Sequence, residues 1–153
     1  MKKKSIIIFT TPCIYDAQKY FAASLALACQ KEGYQAQCIE LSQNALSIPA
    51  DIDLLISFNG NGKEYGSSKR PLLSILVDHP LHHGPRLADA SYLHYIVCDR
   101  SQHFFLKKHY SSLQSHFLPL PGFQSPENKK VKKEKGLAFF GTFSPYNEIE
   151  IPW

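Results

Sequence analysis

Apolar and polar residues alternate along this chain with two different periods, and the switching between them sets the expected fold. Ile6 to Phe9 form a β-branched and aromatic run that ends at Thr11-Pro12, which predicts a first strand over residues 5–10. Over residues 17–32 the pattern changes to helical spacing. Phe21, Leu25, Ala28 and Cys29 share one face, and Lys19, Gln30 and Lys31 can meet water. Asp16 is placed to cap the start of this helix and Gly33 its end. Further strands are predicted over residues 34–41, 53–58, 72–77, 93–98 and 115–120. Residues 42–49 read as irregular, and Asn59-Gly60-Asn61-Gly62 as a loop suited to left-handed backbone. Residues 85–92 predict a short helix with Pro85 near its start. A second helix, capped by Ser101 or Asp99, runs to about Tyr110, and its Phe104 and Phe105 are expected in the core.

Strands alternating with helices through short connections specify an α/β fold: a three-layer, Rossmann-like domain with a mainly parallel sheet. It is expected to occupy residues 1–123. A charged, Pro-containing stretch over 124–135 reads as a linker. Gly136-Leu137-Ala138-Phe139-Phe140-Gly141 then opens a strand-like segment, so 136–153 reads as the start of a truncated or missing second domain.

The stretch that concentrates chemistry is residues 71–85, PLLSILVDHPLHHGP. Its apolar run is expected to be a strand buried on both faces, as inside a parallel sheet. Asp78, His79, Pro80, His82, His83 and Arg86 follow directly. In open α/β sheets ligands bind in the crevice beyond the carboxyl ends of the strands, where these groups fall. Imidazole and carboxylate suit zinc, iron or manganese, yet the spacing matches no metal signature, and adjacent His82 and His83 do not readily share one ion. No metal and no cofactor is assigned. Two readings remain: a turn capped by Asp78 with partly solvated histidines, or a loop that holds an organic ligand by hydrogen bonds. Asn59, at the end of the preceding strand, and Asn61, in the loop that follows it, join the candidate set. Arg100, after Asp99, either braces the crevice as an ion pair or meets an anionic group.

Several classes are excluded. The loop after the first strand has neither the glycine pattern of a dinucleotide site nor that of a phosphate-binding P-loop. A phospho-acceptor domain needs an acidic residue at the end of the third strand, where Asn59 stands. The formal charge of +4 arises largely from Lys2–Lys4 and from five lysines between 129 and 135, so nucleic acid is not an expected partner. Cys13, Cys29, Cys38 and Cys98 are scattered, which favours reduced thiols and a cytoplasmic location. No run approaches a membrane span.

The succession SFNGNG, PLLSILVDHPLHH, YIVCDRSQHFFLKKHY, FLPLPG and GLAFFGTFSP resembles the CgeB-like bacterial glycosyltransferases of the GT-B fold. The resemblance covers most of residues 5–144. It implies an N-terminal domain with Asp78 and Pro80 just beyond a central strand, and Phe139-Phe140-Gly141 opening a donor-binding C-terminal domain that the chain does not continue into. It further implies that the present domain contacts a sugar or glycosylated acceptor. Asp78 and His79 are the candidate catalytic residues, and Asn59, Asn61, His82, His83, Arg86 and Arg100 the candidate substrate contacts. Such a half is expected to be inactive without its donor-binding partner. It is also expected to self-associate through exposed apolar surface, to which Ile149, Ile151 and Trp153 could contribute. The alternative is a stand-alone α/β module that binds a small ligand or a protein without catalysis.

Overall fold

A computed structural model describes residues 4–12, 17–41 and 46–119. Among these residues six strands form one parallel sheet: β1 Ser5–Thr10, β2 Gln35–Glu40, β3 Leu54–Phe58, β4 Leu72–Leu76, β5 Leu93–Val97 and β6 Gln114–Phe117, in the order β2-β1-β3-β4-β5-β6. Two helices accompany them, α1 Ala17–Lys31 and α2 Arg100–His109. The Rossmann-like α/β class read from the alternation is therefore the observed one. The chain reverses its direction of travel across the sheet between β1 and β3, which makes the crevice between them the topological switch point.

All six residues of β1 are buried, because both faces of this central strand are covered. On one face Ile6, Ile8, Ile56 and Phe58 meet Ala22 and Ala26 of α1. On the other, Ile7, Phe9, Leu55, Leu72, Leu76, Tyr95 and Val97 form a larger core with Leu106 of α2. Small alanines at the α1 contact let the helix lie close to the sheet, while Phe21, Leu25 and Cys29 pack at its border. Ala28, expected on this face, is exposed instead, since the contact is centred about one residue-step around the helix. Gly33, at φ +87, closes α1: its N–H donates to the Gln30 carbonyl and the Tyr34 N–H to that of Cys29, both at 3.0 Å.

Three expectations need correction. The run at 72–76 is not buried on both faces; Leu72, Ser74 and Leu76 are buried, but Leu73 and Ile75 only partly, because α1 covers the sheet nearer β1. The short helix does not lie over 85–92. A 3-10 turn occupies Pro80–Arg86, because His79 caps it and Pro80 has the φ needed at its first position. Phe104 is 71% exposed, since α2 turns Leu106 towards the sheet. Asp99 does cap α2, accepting from the Ser101 and Gln102 N–H groups. The expectations for Cys13, Asp16, the linker over 124–135 and the segment over 136–153 concern residues outside those described. No helix among the described residues is long and apolar enough to cross a membrane.

Candidate functional site

The site is assembled from the loops that follow β3 and β4. After Phe58, Asn59 takes φ 55 and Gly60 φ 75, so the chain turns back at once over the sheet edge. A bulkier β-branched residue would be strained at either position. The Asn59 N–H donates to the Ile75 carbonyl at 2.9 Å, and the Gly60 N–H to Ser74 Oγ at 2.8 Å, which bolts this turn onto β4. Ser74, a polar residue inside an apolar strand, thus has a defined task.

The buried Asn59 side chain then organises the neighbouring loop. Its Oδ1 accepts from the Val77 N–H at 2.9 Å and, more weakly, from the Asp78 N–H at 3.4 Å. Its Nδ2 donates to Asp78 Oδ2 at 2.9 Å. One amide therefore fixes both backbone and carboxylate of Asp78, whose side chain remains 62% exposed beyond the sheet. The carboxylate is held on one oxygen and open to water, a state suited to accepting a ligand hydroxyl.

Behind it stands His83, on the inner side of the 3-10 turn, with only 6% of its side chain exposed. His83 Nε2 lies 3.9 Å from Asp78 Oδ2, too far for a hydrogen bond, and neither ring nitrogen has a hydrogen-bond partner among the described residues. Burial lowers its pKa from the ordinary 6.5; Asp78 acts in the opposite direction, and Arg86 and His82 add to the lowering. His83 is accordingly a neutral imidazole at neutral pH. The pair is a contact between a carboxylate and a neutral ring, not a salt bridge.

The remaining candidates are placed differently. His79 Nδ1 accepts from the Leu81 N–H at 3.2 Å, so the neutral ring carries its proton on Nε2 and offers a donor. Its ring packs on Phe105, with centroids 4.9 Å apart. His82 is exposed on the outer side of the turn. Arg86 is exposed too, and its carbonyl accepts from Lys63 Nζ at 3.3 Å. Asn61 turns back on its own loop, donating to the Phe58 carbonyl at 2.9 Å. Arg100 lies with its guanidinium 5.3 Å above the Phe117 ring, and Asp99 is engaged as the α2 cap. The geometry thus brings Asn59, Asp78 and His83 together, leaves His79, His82 and Arg86 around them, and draws Asn61 and Arg100 into local contacts.

Ser74 and Phe105 support this site and were not among the expected residues. Ser74 could have been noticed as the one hydroxyl in an apolar run. Nothing local to Phe105 signals its contact with a histidine 26 positions earlier. Among the described residues no group of three or more His, Cys, Asp or Glu side chains could hold a metal ion. A separate open pocket of about 600 Å³, bordered by Ser5, Gln30, Tyr34, Gln35, Gln37 and Asp51, lies by the amino ends of β1 and β2, away from Asp78. Comparison of the chain with protein families, curated proteins and solved structures gave no match.

Proposed function

We propose that this domain is the acceptor-side half of a GT-B-type, CgeB-like glycosyltransferase, and that Asp78 receives a hydroxyl of a sugar or glycosylated acceptor. The observation that carries the reading is the exposed Asp78 carboxylate, fixed by Asn59 at the carboxyl edge of a parallel sheet with buried His83 behind it. A carboxylate so placed can accept a hydrogen bond from the attacking hydroxyl and take its proton as the new glycosidic bond forms and the donor's sugar–phosphate bond breaks, the nucleotide leaving with that bond's electron pair. His83, neutral and recessed, keeps the surroundings of Asp78 free of a competing positive charge on that side. His79 Nε2, His82 and Arg86 are available at the rim to bind neighbouring hydroxyls or an anionic group.

In the GT-B arrangement the nucleotide-sugar donor is held by a second Rossmann-like domain. The present domain is therefore expected to bind acceptor and not donor, and to transfer no sugar alone. The free Cys29, Cys38 and Cys98 thiols fit a reducing, cytoplasmic setting.

Ligand-observed NMR with a panel of saccharides, glycans and nucleotide sugars tests the proposal. Saccharide binding that is lost in Asp78→Ala, with folding verified by circular dichroism, supports it. Nucleotide-sugar binding without saccharide binding would refute the acceptor-side assignment, as would no binding by either class.

A further inference from the structure

His83 is the least satisfied polar side chain of the candidate site. Only 6% of it is exposed, and neither ring nitrogen has a hydrogen-bond partner among the described residues. Buried imidazoles in folded proteins normally pair at least one nitrogen, because burial otherwise forfeits the bonds that water would supply. The carboxylate beside the ring is that of Asp78, with Oδ2 3.9 Å from Nε2. No partner on Nδ1 fixes the tautomer, so this carboxylate favours the proton on Nε2. Neutral His83 is then a donor facing Asp78.

The ring is held more firmly than the carboxylate. Pro80, at the start of the 3-10 turn, is fully buried, and the Leu87 N–H at its end donates to the His83 and Gly84 carbonyls at 3.0 and 3.3 Å. Between these points the turn is wedged from two sides. A Cβ placed on Gly84 would meet the Tyr110 hydroxyl of α2 at 3.2 Å, and one placed on Gly60 would meet Arg86 Cβ at 3.2 Å. Asp78 is tied more loosely. Its N–H reaches Asn59 Oδ1 only at 3.4 Å. Among the described residues its carboxylate takes one hydrogen bond, from Asn59 Nδ2 at 2.9 Å, and 62% of the side chain is exposed. A shift of Oδ2 by about 1 Å closes the gap to His83 to an ordinary N–H···O length.

On the acceptor-side reading of Asp78, which this extends and rests on, we propose that His83 is a positioning residue: when a saccharide covers Asp78, the carboxylate moves onto His83 Nε2–H. Oδ2 is then held by two donors, Asn59 Nδ2 and His83 Nε2, and Oδ1 is left to accept from the saccharide hydroxyl. The drive comes from water. In the free domain the exposed carboxylate is hydrated, and exchanging that hydration for His83 gains little. A saccharide seated over it displaces this water, and a carboxylate taken out of water needs donors from the protein. The two states thus differ in their affinity for the saccharide, which is what a ligand-driven shift requires. Burial keeps the ring neutral at neutral pH. A neutral donor orients the carboxylate and leaves its charge in place for the hydroxyl.

Two-bond 1H–15N spectra of the histidine rings read this in the full wild-type chain at neutral pH, with methyl glycosides of hexoses and N-acetylhexosamines as the probes. The free domain should show His83 protonated on Nε2. A bound glycoside should move the Nε2–H proton downfield, a hydrogen-bond signature that a merely structural role does not produce. His83→Leu should weaken glycoside binding about tenfold, and His83→Gln, whose amide can still donate, should recover most of the loss. Circular dichroism checks that both variants fold; if the Leu variant does not, the wild-type resonance decides. A resonance that stays in place as a glycoside binds, or a folded Leu variant that binds as tightly as wild type, overturns the positioning role and leaves the acceptor-side reading standing. If no glycoside binds the wild-type chain, both fall.

Discussion

Asn59 is the residue on which the geometry of the candidate site depends most, and its contributions can be separated by two substitutions. Asn59→Gly keeps the left-handed backbone at no steric cost but removes the acceptor of the Val77 N–H and the donor to Asp78. Leaving such a part-buried N–H without its partner costs about 1–3 kcal/mol. Asn59→Ala loses the same bonds and keeps a Cβ at φ 55, as Asn59 itself does, whereas Gly relieves that left-handed strain of about 1–2 kcal/mol. The Ala variant is thus expected to fall about 1–3 kcal/mol below wild type, with the Gly variant about 1–2 kcal/mol more stable than Ala. Domains of this kind have roughly 5–15 kcal/mol to lose, so both variants should remain largely folded for measurement. Urea unfolding followed by circular dichroism, with an unchanged m-value, measures the differences. Exchange of the Val77 amide should rise in both variants. Equal stability of the Ala and Gly variants would mean that the left-handed conformation is not enforced. Stability within ~0.5 kcal/mol of wild type in both would mean that the side-chain bonds do not lock the Asp78 loop.

Two other expectations follow from the same packing. His83 has a folded pKa below its ordinary 6.5, so the unfolded chain takes up its proton first as pH falls. Its stabilising effect is complete above about 6.5 and is lost as pH drops from there towards the folded value; His83→Gln should flatten this part of the wild-type stability–pH curve, and an unchanged slope would contradict it. The buried Tyr95 hydroxyl accepts from the Ala88 N–H at 2.8 Å and donates to the Ala88 carbonyl at 3.3 Å, pinning the segment that leaves the 3-10 turn. Tyr95→Phe should lower stability by about 1–2 kcal/mol in urea titration, and no loss would show that the Ala88 N–H finds another partner.

Because a β-branched run between turn residues has few other stable uses, the hydrophobic period located five of the six strands to within a residue; it placed the end of β6 three residues too far, at 120 instead of Phe117. It located α1 and α2 as well, and Gly33 and Asp99 marked their ends through local chemistry that neighbouring residues complete. The helix assigned to 85–92 failed for a local reason of another kind: the His79 cap and Pro80 start the turn earlier than the Pro85 signal suggests. Phe104 failed for a tertiary reason, since which flank of α2 meets the sheet is set by Leu106 and the strands beneath it.

The candidate site divides along the same line. Sequence alone determined that polar and titratable groups gather after the fourth strand, and that Asn59-Gly60 would turn the chain sharply at the end of the third. Only the tertiary structure decided that one Asn59 amide holds Asp78 and that His83 is buried while adjacent His82 is exposed. It also drew Asn61 and Arg100 into contacts of their own. Side-chain exposure in a 3-10 turn depends on what packs against each face, and the hydrogen bonds of Asn59 join residues 18 and 19 positions apart. Neither is encoded in a local pattern; both arise when β3 and β4 lie side by side.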